Sequence, residues 1–171
     1  MNRAILLPNR KDYSLQGKQL PVSATQPGFS VLEILIVIAI LAILISIAIP
    51  AYENYRDKKH VTQAKTDILE LQVSIDRFYV ENNRFPENLA EINQHTRKDP
   101  WGGFYYYTNI TTAKNNSGVR KDKHLTPVNS DYDLYSAGRD QSTNPPFTAQ
   151  ASYDDIVRCN NGTFIGFAKD Y

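Results

Sequence analysis

The 171-residue sequence predicts an α+β chain, a long N-terminal helix followed by a smaller region of short strands. Three observations carry this reading. Residues 31–49 are apolar except for Glu33 and Ser46. Beyond them, apolar side chains recur at three- and four-residue steps as far as Tyr79. After Pro86 the pattern gives way to aromatic runs bounded by Gly, Asn, Asp and Ser, the signature of short strands.

Residues 1–27 contain Pro8, Gly17, Pro21 and Pro27 without sustained periodicity, and read as an unstructured leader. The leader through Gly28 holds four basic residues against Asp12, a net of +3 in a chain whose total is +1. A basic head before an apolar run is the layout of a membrane-targeting segment, with the positive end retained in the cytoplasm. Nineteen residues of helix cover about 28 Å, close to the thickness of a bilayer's hydrocarbon core. Residues 29–49 are therefore expected to span a membrane.

Past Pro50, the residues Val61, Ala64, Ile68, Leu71, Ile75, Phe78 and Tyr79 form the stripe of an amphipathic helix over 50–82. Asp57, Lys58, Lys59, Lys65, Asp67, Glu70 and Arg77 fall mostly off that stripe. Pro50 lacks the amide that would bond the Ser46 carbonyl, so a kink or loosening is expected there. The helix should end near Asn82–Asn83. In 83–171, Pro86–Ile92 suits a helical turn or two, Phe104–Thr108 and Tyr132–Ser136 suit strands, and Thr163–Ala168 is a weaker third strand. Lys114–Thr126 and Asp140–Ser152 read as loops.

Several functions lack their signatures. There is no Gly-rich phosphate loop and no nucleophile–base set, and His60, His95 and His124 have no zinc spacing. Lys114, Arg120, Lys121, Lys123 and His124 could touch DNA phosphates, but such a run is more often a solvated loop, and no nucleic-acid partner is expected. Cys159 is the only cysteine, so the chain cannot staple itself with a disulfide. It must rely on its core, on neighbours, or on a metal.

The informative string is Gln26-Pro27-Gly28-Phe29-Ser30-Val31-Leu32-Glu33. A secretory signal cut after Ser46-Ile47-Ala48 is disfavoured by the length of the apolar run and by Pro50. A plain single-span anchor leaves Glu33 unexplained, because a lone carboxylate in a span costs of order 3 kcal/mol to insert. A cut between Gly28 and Phe29 would create an α-amino group of opposite charge at the membrane border. The amine of a neighbouring copy could then neutralise Glu33 and fix the axial step between subunits, as buried polar groups set register in coiled coils. The chemistry points to a polymer.

Gly28-Phe29-Ser30-x-x-Glu33, running into Pro50-Ala51-Tyr52 and Tyr55, resembles the N-terminus of type IV pilins and type II secretion pseudopilins. That resemblance implies cleavage after Gly28 by a prepilin peptidase, N-methylation of Phe29, and a role for Glu33 in methylation and docking. It also implies assembly through Phe29, Glu33 and Pro50 with further copies and related minor subunits on an inner-membrane platform. The leader is longer than the family's usual one, which suggests a start codon downstream of Met1, and Ala42 stands where the family often carries a helix glycine. Further on, Asp99-Pro100-Trp101-Gly102-Gly103, Tyr132–Asp140 and Ser152–Ile156 resemble the major pseudopilin of type II secretion. This implies a small antiparallel sheet packed on the helix, and a Ca2+ ion in the last long loop. Its ligands would be Asp140, Asp154 and Asp155, with the carbonyls of Ala137 and Ser152. Three carboxylates plus carbonyls are a sound calcium set; alternatively the aspartates simply serve turns. The loop departs from the family's by its greater length, by Pro145-Pro146, by missing glycines, and by Arg158-Cys159-Asn160 in place of a Trp-containing continuation.

The expected protein is thus no enzyme but a peptidase substrate. It would lie in the bacterial inner membrane with its N-terminus cytoplasmic and its C-terminal region periplasmic, then enter a pseudopilus that drives protein export. The alternatives are a type IV pilus subunit serving adhesion, motility or DNA uptake, and a membrane-anchored binding domain that never polymerises.

Overall fold

The computed structural model describes residues 28–113, 118–123 and 125–171. The expected leader, Lys114 and His124 lie outside the described residues. The chain divides into two compact units, Met1–Ile43 and Leu44–Tyr171. In the first, the described residues are the exposed Gly28, Phe29 and Ser30 and the beginning of helix α1.

Helix α1 comprises Val31–Asn82, 52 residues, and stays helical through Pro50. Its apolar part is long enough to cross a membrane, and none of the side chains there is covered. The helix stops where the sequence suggests. Asn82 Nδ2 donates to the Phe78 carbonyl (2.9 Å), and Asn83 takes a left-handed φ of 53°, a conformation asparagine tolerates better than most residues.

In the second unit, Ala64, Ile68, Leu71 and Ile75 of α1 are buried at steps of three and four, as the stripe predicts. The stripe ends earlier than expected. Phe78 is only half-buried and Tyr79 is 40% exposed, stacked on Phe85 where the chain turns back. The segment Pro86–Ile92 forms turns rather than helix, with the Asn88 side chain taking the Ala90 amide (2.9 Å) in competition with a helical ladder.

Four strands follow: β1 Tyr106–Asn109, β2 Tyr132–Ser136, β3 Ile156–Cys159 and β4 Phe164–Phe167. They form one sheet in the order β1-β2-β3-β4, each neighbour antiparallel. Strand β2 has the predicted bounds, β1 begins two residues later than expected, and β4 lies inside its predicted segment. Strand β3 was not predicted.

Both faces of the sheet are covered, which explains that miss. Tyr132, Leu134 and Ile156 pack against α1 together with Leu89 and Tyr105. On the opposite face, Val157 and Cys159 pack with Val128, Phe147 and Ala168, and Tyr135 lies against them. Every residue of β3 is buried, so its Ile-Val-Arg-Cys sequence shows no alternation of apolar and polar positions. Burial pushes the Cys159 thiol up to about 12. A maleimide applied near pH 8 should therefore label the chain only after denaturation; rapid labelling of the native protein would mean that this second cluster is not packed.

Candidate functional site

Two regions carry the predicted site residues. At the N-terminal border, Gly28 and Phe29 are open to solvent; Phe29 is 79% exposed and nothing lies where a Cβ on Gly28 would sit. Both residues that flank the expected cut are thus exposed. Ser30 caps the helix, its Oγ accepting the Glu33 amide (3.1 Å) while its carbonyl accepts the Ile34 amide (3.2 Å). Ser30-Val31-Leu32-Glu33 has the sequence of a capping box. The Glu33 carboxylate thus sits in the first turn, where the helix dipole favours a negative charge. Sequence reasoning had the signal for this cap, Ser followed three residues later by Glu, and passed over it.

The second region is the loop after β2. Ala137, Ser152 and Asp155 are buried, whereas Asp140 is exposed and Asp154 only partly covered. Gly138 has a φ of +68° and the Asp154 backbone lies directly against its Cα, so no side chain fits there. Asp154 Oδ2 accepts the amides of Arg139 (2.7 Å) and Asp140 (3.1 Å), and Asp140 Oδ1 accepts the Ser142 amide (2.8 Å). These two carboxylates hold turns.

Asp155 does something else. Its Oδ2 accepts from Arg120 Nη2 and Thr143 Oγ1, both at 2.6 Å, inside the fold. Burial raises its carboxyl above the usual range, opposed by Thr143 and Arg120. Arg120 is 2% exposed, so the reading of residues 114–126 as a solvated basic loop fails at this position. It cannot reach a DNA phosphate from there. Lys121 and Lys123 do remain exposed.

The burial of several other polar residues was not foreseen from the sequence. Asp67, placed off the apolar stripe, is buried and accepts from Arg97 (2.6 Å), Gln63 (2.9 Å) and the Tyr105 hydroxyl (2.8 Å), tying α1 to the chain before β1. Asp99 Oδ1 accepts the amides of Trp101 (3.1 Å) and Gly103 (2.8 Å), while its Oδ2 accepts the Ser136 hydroxyl (2.6 Å). The Asp99-x-Trp101-x-Gly103 pattern is therefore a turn clamped to the end of β2. Asp133, also buried, accepts the Arg120 amide (2.6 Å) and Asn129 Nδ2 (2.8 Å); burial raises its carboxyl, and those two donors oppose the rise.

The family model for the prokaryotic N-terminal methylation motif matches residues 24–49. The type II secretion system core protein G of Aeromonas hydrophila is 38% identical over 101 residues, covering 47% of this chain and 71% of the relative. That of Pectobacterium carotovorum is 38% identical over 105 residues, 49% of this chain and 67% of the relative. The chain belongs to the family of type IV pilins and type II secretion pseudopilins. A type IV major pilin of Neisseria gonorrhoeae is 28% identical over 107 residues, which is 59% of each chain. No solved structure matches the chain significantly.

Membership of this pilin-like family agrees with the α+β architecture and with the border from Gly28 to Glu33. The calcium set that the resemblance implies does not fit the residues as they stand. Among the described residues no three His, Cys, Asp or Glu side chains converge on one point. Asp140 and Asp154 are turned to backbone amides, and Asp155 is occupied by a guanidinium whose charge would repel a cation. One buried oxygen there, Asp155 Oδ1, has no hydrogen-bond partner, but calcium needs about six to eight oxygens.

Proposed function

We propose that this chain is a filament subunit of a type II secretion pseudopilus, built from the inner membrane. The observation that carries this reading is the exposed Gly28–Phe29 bond directly before a capped, uncovered apolar helix with Glu33 in its first turn. In it, 1–28 is a leader removed by prepilin peptidase, 29–49 the membrane segment, 50–82 the amphipathic part of the helix, and 83–171 the periplasmic region. Phe29 becomes the methylated N-terminus, and its amine pairs with Glu33 of the adjoining copy. Apolar helices, uncovered in a single chain, then pack against one another in the filament, held by close van der Waals contact, since lipid is as apolar as the side chains that replace it. The work is mechanical rather than catalytic.

The choice of secretion rather than pilus rests on the protein G relatives, matched at 38% identity over 67–71% of their length. A type IV pilus subunit is the second reading, favoured by the gonococcal pilin match that takes in 59% of this chain. Deleting the gene in its native host separates them. Under the secretion reading, folded exoproteins accumulate in the periplasm and disappear from the medium. Intact secretion together with the loss of surface fibres would instead select the pilus.

A further inference from the structure

We propose that Arg120 is the built-in cation of the loop between β2 and β3, doing with a guanidinium what a bound metal ion would do there. Its Nη1 donates to Thr143 Oγ1 (2.6 Å) and to the Asn144 carbonyl (2.7 Å), and its Nη2 donates to Asp155 Oδ2 (2.6 Å). A hydroxyl, a carbonyl and a carboxylate are oxygens of the kind a hard cation collects. Here they converge on a guanidinium, whose planar fork of donors holds several oxygens at fixed angles.

The rest of the surroundings suits a guanidinium rather than a metal. Its carbon lies over the Tyr135 ring at 4.4 Å and over the Phe147 ring at 5.0 Å, so aromatic faces hold it on two sides. The backbone delivers it there. Lys121 N–H bonds the Pro145 carbonyl (3.1 Å), Phe147 N–H bonds the Lys121 carbonyl (3.0 Å), and Val128 N–H bonds the Arg120 carbonyl (3.1 Å). The segment carrying Pro145-Pro146, which lengthens this loop, is therefore the one that seats Arg120. Arg120 Nε and Asp155 Oδ1 are buried without hydrogen-bond partners, which leaves the pair short of a bidentate contact but puts no competing donor or acceptor on either atom. Nothing in this contact depends on assembly into a filament.

The consequence is stability that ignores calcium. The test uses the full chain in a nonionic detergent, with unfolding followed through Trp101, the only tryptophan. The melting temperature of the unmodified chain should be the same in excess chelator as in added calcium chloride. Arg120→Ala should melt lower by roughly 10 °C, the size expected when a buried ion pair loses one partner. Arg120→Lys, which keeps the charge but not the fork, should fall between the two. A lower melting temperature in chelator, or a higher one in calcium, would overturn the proposal. So would Arg120→Ala or Arg120→Lys melting with the unmodified chain. If Arg120→Ala does not fold, the chelator comparison and Arg120→Lys still decide.

Discussion

Replacing Glu33 with alanine should leave the chain in the membrane and abolish its assembly. A carboxylate within a span costs about 3 kcal/mol to insert, so its removal makes anchoring easier. The local loss is small. Ser30 still caps the helix through its own Oγ, and a favourable first-turn acid is worth about 0.3–1 kcal/mol. Under the proposed pairing, what disappears is the partner for a neighbouring copy's amine, and with it the interaction that would set the step between subunits. Crosslinking in membranes should give ladders for the unmodified chain and only monomer for Glu33→Ala, at equal amounts in the membrane fraction. Glu33→Gln should behave like alanine if charge is what matters. Ladders of normal length from Glu33→Ala would remove the basis for the pairing.

Arg158→Ala should be the most damaging single change to the C-terminal unit outside the Arg120 contact, costing about 3–5 kcal/mol. Arg158 is 3% exposed, and its guanidinium joins three parts of the fold. Nη1 and Nη2 donate to the two carboxylate oxygens of Asp131 (2.9 and 2.6 Å), Nη1 also reaches the Tyr132 carbonyl (3.1 Å), and Nε reaches Gln72 on α1 (3.1 Å). The guanidinium carbon lies over the Tyr132 ring at 4.0 Å. Alanine leaves the Asp131 charge largely covered, empties space beside Tyr132, and releases Gln72. Thermal melts of the full chain in detergent should show this as a drop of roughly 6–20 °C, taking 2–4 °C per kcal/mol for a chain of this size. A drop smaller than a couple of degrees would mean that the contact is cosmetic. Gln72→Ala should cost far less, because it removes only one of the four contacts.

What the sequence revealed and what it hid divide by how local the information is. Gly28 to Glu33 is one contiguous string, and an apolar run of this length declares itself without reference to anything else. Strand β2 was legible because Tyr132–Ser136 is aromatic and bounded by turn residues. Strand β3 was hidden because it is covered on both faces and carries an arginine. The four polar residues that organise the C-terminal unit, Asp67, Asp99, Arg120 and Arg158, look like surface residues in sequence. Their partners lie 23 to 86 residues away in most of the contacts that define them. No local pattern announces such a pairing. The loop aspartates were the reverse case: the family resemblance implied a shared metal, with turns as the alternative, and in the fold Asp140 and Asp154 hold turns while Asp155 bonds Arg120 and Thr143.

The membrane-bound protein's N-terminal mass tests the central claim most directly. Cleavage after Gly28 predicts a mature chain that begins at Phe29 and carries one added methyl group. A chain that keeps residues ahead of Phe29, or one that starts beyond Ile49, would have no free amine opposite Glu33 and would contradict the account.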